Sequence, residues 1–509
     1  MNKWYIVFAG ILALVFASCP EPDDSGGGGG HYLRLDYCVR EVEFAEPTAT
    51  VHFYNLNGND IYLVKVNVSD FSVDAADTGG AADFPPGATF TRNNAPAYAP
   101  GEELPRMGHP AADAFHANPP PLADEPPPRL REAFAAPVVG DTRNFWVEEY
   151  YNTLPFIQKQ ATLLATGRHG NIWVMDNRIT TAQAQTLSAK FDIIYPAATN
   201  ILGYEYGGGP DGGGGRDGDP KIQILVYDIV NASGTVQAAG YFWAKDHYPS
   251  QSGSNQAEMF YIDASQVIRF PDYIYSTLIH EFQHMINFNQ KSVIHGKNSA
   301  AWYNEMLSMM AEDAIAEKIG ITLTNSQHKI RERIPTFLNN YEKVGITGWD
   351  STSNSYAKGI AFGAYLMRNY GGPALLHDIL ANNAVNVDSI TAALDAYSPG
   401  LDFEQALRRF GEAMIFSGSP MPAGAMTFDK TVTSTVNRVR YTVYRFDIWD
   451  MPRNGGGTGP KIFDVTPINM QPYSLTVHSA DEWKNREGNF SITLEEPADE
   501  NVVLYLMVK

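Results

Sequence analysis

The chain has 509 residues, and its 37 basic against 57 acidic side chains give a net charge of -20. An apolar fraction of 44% supports sizeable cores and excludes wholesale disorder. So acidic a surface repels polyanions, which excludes general nucleic-acid binding. At roughly 150 residues per domain the length allows about three domains.

At the start, Lys3 precedes an apolar run over 4–16 that is too short to span a bilayer, and Phe16-Ala17-Ser18-Cys19 follows. Small residues ahead of a cysteine resemble a bacterial lipoprotein signal peptide over 1–18, with Cys19 as the lipidated first residue of the mature chain; an ordinary signal peptide cut near Ala17-Ser18 is the alternative. Any membrane contact then comes through the N-terminal lipid, and the protein is expected outside the cytoplasm, anchored to the cell envelope. Cys38 is left unpaired, so a disulfide framework is excluded. Residues 19–45 begin acidic and run into five consecutive glycines, which suits a flexible tether.

A β-rich N-terminal region is expected over 46–150. Within it, 50–69 reads as a β-hairpin around Asn57-Gly58-Asn59-Asp60, with Tyr62, Val64, Val66 and Val68 on one face of the second strand. Residues 77–130 are rich in Pro, Ala and Gly and are expected to run irregularly over the surface. Short strands are expected at 143–147, 160–165 and 171–176, a helix over 181–202, and further strands at 221–229, 240–244 and 259–262. Residues 273–416 read as mostly helical. The last stretch, 425–509, returns to strand patterns and is expected to be a separate C-terminal β-sandwich-like domain. The whole is α+β.

The chemistry concentrates in His280-Glu281-Phe282-Gln283-His284. On a helix, residues i and i+4 share a face, so both imidazoles can bind one metal ion, and the glutamate between them can take a proton from water. Tyr275, Leu278, Ile279, Phe282, Met285 and Ile286 form an apolar stripe, and the two histidines lie nearly opposite it, facing a cleft or solvent. A catalytic zinc wants a third protein ligand and an open position. Glu305 lies twenty-one residues after His284, on a helical pattern where Glu305, Met309 and Glu312 share a face.

Here the sequence resembles the gluzincin peptidases, the thermolysin-like zincins, whose third ligand is a Glu in an Asn-Glu-x-x-Ser setting one helix beyond HExxH. Asn304-Glu305-Met306-Leu307-Ser308 matches that setting. The resemblance implies a Zn2+ ion held by His280, His284 and Glu305, with Glu281 as general base. Met309 stands where thermolysin-like chains carry an Asp that orients a ligand histidine. The metzincin pattern fits worse, since Asn287 and Gln290 replace its Gly and His; His295, in a loop-like stretch, is a fallback ligand. Tyr356-Ala357-Lys358-Gly359 resembles the Tyr-x-Lys-Gly motif of gluzincin aminopeptidases, which would make Tyr356 an oxyanion donor; a helix-start tyrosine packed on the core is the alternative. Residues 155–420 as a whole resemble the hyicolysin-like family of bacterial neutral metallopeptidases, with a peptidase domain over 151–420. Asp211, Asp217 and Asp219 form a candidate Ca2+ loop, although the spacing is not that of an EF-hand and favours a solvated acidic turn.

The expected function is a secreted or surface-anchored zinc endopeptidase that hydrolyses protein or peptide substrates by a zinc-bound water. A surface adhesin, binding host protein on an inert zincin fold, is the competing reading. An aminopeptidase is disfavoured because no Gly-x-Met-Glu-Asn segment is evident to read a free N-terminus.

Overall fold

The computed structural model describes residues 31–34, 38–81, 108–122, 136–210, 213–418, 421–463 and 469–509. The expected leader, Cys19 and most of the tether lie outside these residues. In chain order the strands and helices begin with β1 (His31–Arg34), β2 (Cys38–Glu41), β3 (Thr48–Asn59), β4 (Ile61–Asn67), β5 (Gly80–Ala81) and α1 (Pro110–Ala117). Then come β6 (Thr142–Glu148), β7 (Phe156–Thr166), β8 (Gly170–Met175), α2 (Thr181–Leu202), β9 (Ile222–Tyr227), β10 (Gly240–Phe242) and β11 (Met259–Asp263). The helical stretch holds α3 (Ala264–Arg269), α4 (Pro271–Asn287), α5 (Ala301–Ile315), α6 (Lys329–Asn340), α7 (Ser353–Asn369), α8 (Pro373–Ala381), α9 (Asn386–Tyr397) and α10 (Phe403–Ile415). The chain ends with β12 (Val432–Val436), β13 (Val439–Val443), β14 (Ser474–His478), β15 (Arg486–Glu495) and β16 (Val502–Val508). The architecture is mixed α and β. Among the described residues, no helix is long and apolar enough to cross a membrane.

One sheet carries the order β10-β11-β9-β8-β7-β6, with β8, β9 and β11 parallel. Alternation along its strands feeds two cores. Ile222, Ile224 and Val226 of β9 point to the main core under α2 and α4, while Leu225 and Tyr227 join a smaller cluster with Tyr241, Tyr261 and Ala112 on the other face. The Thr180 side chain caps α2 in a reciprocal box with Gln183, which fixes the start of that helix where the sequence pattern places it. β12 and β13 form a two-stranded ribbon packed against α8 and α5.

Strands from both chain ends build a second body. Its two sheets have the orders β1-β3-β15-β5 and β14-β4-β16-β2, enclosing a core that includes Phe53, Ile61, Leu63, Ile492 and Leu504. Two expectations change here. β3 and β4 flank Asp60 yet pair with different strands in different sheets, so residues 50–69 turn a corner and form no hairpin. The corner residue Asp60 is tied through its backbone to Lys509. The N-terminal and C-terminal β regions are likewise one interleaved sandwich, where separate modules had been expected. The alternation in β4 has a physical cause: Ile61 and Leu63 fill the sandwich, while Tyr62, Val64 and Val66 pack into the main core. Helix α10 approaches closely through Gly411, where a Cβ would lie 2.7 Å from Val64 Cγ1.

Candidate active site

Helix α4 starts with Pro271 in its first turn and Asp272 beside it, a favourable opening for the chain and for the helix dipole. From Ser276 to Asn287 every residue is buried. His280 and His284 are therefore not solvent-facing as one of the two expectations had it; they are buried, at 0% and 5% exposure. Their rings sit edge to face with centroids 4.7 Å apart.

Helix α5 packs across α4 and delivers the third group. Glu305 Oε2 lies 2.9 Å from His280 Nε2, and Oε1 lies 3.5 Å from His284 Nε2. Ligand atoms of His280, His284 and Glu305 all fall within 4.8 Å of one another. Taken alone, the three side chains satisfy one another's charge. Burial opposes ionisation of Glu305, but His284 and His280 outweigh it and hold the carboxyl at about 2. Burial likewise opposes the His280 cation, and Glu305 with Glu312 carries it up to about 9. Two imidazole nitrogens and a carboxylate, all three side chains buried, are the donor set of a catalytic zinc site. Both Glu281 oxygens and Glu305 Oε1 are buried without a hydrogen-bond partner among the described residues, which fits a cation and a polar reactant between them. Burial pushes the Glu281 carboxyl up to about 7, against the pull of the two histidines.

A supporting layer lies on the same helices. Glu312 Oε2 stands 3.6 Å from His280 Nδ1, and Glu312 Oε1 stands 3.6 Å from Lys329 Nζ of α6. Ser308 Oγ lies 3.2 Å from His284 Nδ1 and donates to the His280 carbonyl at 3.3 Å. Met309 is fully buried and apolar, so Glu312, one turn further along, stands beside His280 instead. Its spacing of seven from Glu305 put it on the ligand face in the sequence, although no role was attached to it there.

Tyr356 lies in the first turn of α7, with Trp349 edge-on at 4.9 Å and the Arg333 guanidinium over its ring at 4.8 Å. Its hydroxyl and Glu305 Oε1 face one point on the chain: a Cβ on Gly108 would lie 2.8 Å from the former and 3.2 Å from the latter. Lys358 donates to the carbonyls of Gly345 and Gly348 and so anchors the loop ahead of α7. His295 is exposed and stands apart from the triad. Asp217 pairs with Arg143 at 3.4 Å, and Asp219 accepts from Asn171 and Gln223, so both carboxylates already have protein partners; Asp211 lies outside the described residues.

Residues 108–117 were not expected beside these side chains. In place of an irregular surface run, Gly108 meets the edge strand β10, its N–H donating to the Gly240 carbonyl at 3.2 Å, and α1 follows with Pro110 in its first turn. The local signal was a proline at a helix start behind the cap residue His109, hidden in a Pro- and Ala-rich background.

An HExxH helix joined by a glutamate from the next long helix defines a metallopeptidase-type centre. The chain belongs to the peptidase M30 family, whose model matches residues 142–435. It is similar to the neutral metalloprotease ShpI of Staphylococcus hyicus, at 28% identity over 268 residues. That match covers 50% of this chain and 58% of the staphylococcal protein, so less than two thirds of that relative is spanned.

Proposed function

We propose that the chain is a zinc endopeptidase with a zincin catalytic domain, acting outside the cytoplasm and held there through Cys19. The observation that carries this reading is the Glu281 carboxyl, fully buried and without a hydrogen-bond partner among the described residues, next to a His-His-Glu donor set. A zinc ion held by His280, His284 and Glu305 would supply Lewis acidity, polarising the scissile carbonyl and making water more acidic. Glu281 then accepts the proton of the attacking water and hands it to the leaving nitrogen, a role suited to a carboxyl raised to about 7. Tyr356 donates to the oxygen that gains charge as the carbonyl becomes tetrahedral. Glu312 and Ser308 hold the two imidazoles.

Two points favour this reading over its rivals. An adhesin on an inert fold would have no use for Glu281. The main chain beside the triad belongs to Gly108, an interior residue of a polypeptide, which suits an endopeptidase better than an enzyme that reads a free N-terminus. The test is digestion of denatured casein by the zinc-loaded protein, with new termini read by mass spectrometry. Internal cuts are expected. Release of single N-terminal residues would make it an aminopeptidase, and zinc binding without hydrolysis would favour the inert fold.

A further inference from the structure

We propose that the pocket filled by His109 is the specificity subsite of this cleft, that it selects a basic side chain, and that residues 108–117 are its built-in occupant. This rests on the peptidase reading above.

Gly108 lies as a bound peptide would. Its N–H donates to Gly240 on the edge strand at 3.2 Å, and its carbonyl accepts from the Tyr151 hydroxyl at 2.8 Å. Extended peptides bind sheet edges by this main-chain pairing, with side-chain pockets setting specificity. With φ at +100° and no side chain, Gly108 passes between Tyr356 and Glu305 where a Cβ would collide. The backbone therefore sits against the oxyanion donor Tyr356 and the ligand carboxylate Glu305 of the reading above.

The next side chain enters a pocket. His109 is 1% exposed, boxed by Tyr151, Tyr241 and Trp243 with ring centroids at 4.6, 4.9 and 4.7 Å. Its Nε2–H donates to Glu148 Oε2 at 2.7 Å, and its Nδ1 accepts from the Ala112 amide at 3.4 Å. The same Glu148 oxygen is held by the Asn152 amide at 2.7 Å, so the carboxylate is fixed at the end of β6. Downstream, His116 accepts from the Ala244 amide at 3.0 Å and stacks on Phe242, which extends the seat along the edge strand.

Capping α1 explains the Nδ1 contact but not a buried carboxylate at the far end of the ring. A carboxylate this enclosed needs a donor from whatever fills the pocket. A substrate that displaces His109 must bring one. Lys, Arg or His does so, and the aromatic walls add cation–π attraction. An apolar side chain leaves the Glu148 charge held by the Asn152 amide with no cation from the occupant, and an acidic one is repelled.

The test uses the full-length, zinc-loaded chain carrying His109→Asp, which sets two carboxylates together and expels the occupant; His109→Ala is the milder second variant. Casein hydrolysis should rise about tenfold or more over the unsubstituted chain. A peptide library cut by these variants should be enriched for Lys, Arg or His at one fixed position beside the cut bond. Adding Glu148→Gln should raise KM for basic substrates about tenfold with kcat little changed, and Glu148→Lys should shift preference to Asp and Glu. Hydrolysis without basic enrichment, or enrichment that survives Glu148→Gln, overturns the subsite and leaves the peptidase standing. Rates equal to the unsubstituted chain in both His109 variants overturn the occupant. Zinc-loaded variants that cut nothing contradict the peptidase reading itself.

Discussion

Glu312→Gln tests the layer behind the ligands. Glu312 Oε2 stands 3.6 Å from His280 Nδ1, too far for a full hydrogen bond, so its action is mainly charge. Two unit charges about 4 Å apart interact by about 4 kcal/mol at an effective dielectric of 20, an upper bound for an imidazole that carries only part of a charge. Lys329, at an equal 3.6 Å from the other oxygen, offsets much of that field. Outer partners of metal-bound histidines are worth about 10- to 100-fold in affinity, and the nearby lysine places this one at the lower end. Zinc affinity should fall about tenfold, or about 1.4 kcal/mol, by competition with a chromophoric chelator at neutral pH. The substitution also removes the carboxylate 3.6 Å from Lys329 and leaves that cation's field on the site less offset, so Glu312→Gln with Lys329→Met should recover part of the loss in a double-mutant cycle. A folded Glu312→Gln protein with unchanged zinc affinity would refute the assignment.

Three further outcomes follow from the structure. Arg368 is fully buried and forks onto Asp313 at 2.7 and 3.4 Å, bracing α5 against α7; Asp313→Ala should lower stability by about 3–5 kcal/mol and Tm by roughly 5 °C, and a shift under about 1 °C would contradict this. Burial lowers Lys65 to about 8 where it donates to Thr78 and Gly79, so between about 8 and 10.5 the unfolded chain binds more protons and the stability contributed by this site rises with pH. Urea unfolding should then show wild type gaining about 3 kcal/mol over Lys65→Met across that window, and parallel pH curves would exclude it. Ser308→Ala, which removes the group 3.2 Å from His284 Nδ1, should weaken zinc binding about tenfold in the same chelator assay, and wild-type affinity would show that the ring is oriented by other means.

The His-His-Glu cluster was legible because it is local. His280, Glu281 and His284 are set by one helical period, and Glu305 by the next long helix with its Asn304 and Ser308 context. The bounds of α2 were equally plain from its helical pattern, and the Thr180–Gln183 capping box seen in the structure accounts for its start. What escaped the sequence depends on distant pairing. β4 binds β14 and β16 from the far end of the chain, and alternation along Tyr62, Val64 and Val66 reports which face is buried, not which strand lies alongside. The same limit hid residues 108–117: their composition resembles a linker, and only the edge of β10 and the Glu148 pocket give them a place. Burial of α4 from Ser276 to Asn287 removes solvent from the two settings, cleft or solvent, expected for the side chains opposite its apolar stripe.

The most direct test measures zinc content and peptide hydrolysis on one preparation of Glu281→Gln. Glu281 makes no hydrogen bond among the described residues and is not one of the three ligating groups, so its amide should leave the metal site intact. One zinc per chain is expected, with hydrolysis reduced by at least about a hundredfold, the usual effect of losing a general base. A Glu281→Gln protein that binds zinc and cleaves at the wild-type rate would contradict the central claim.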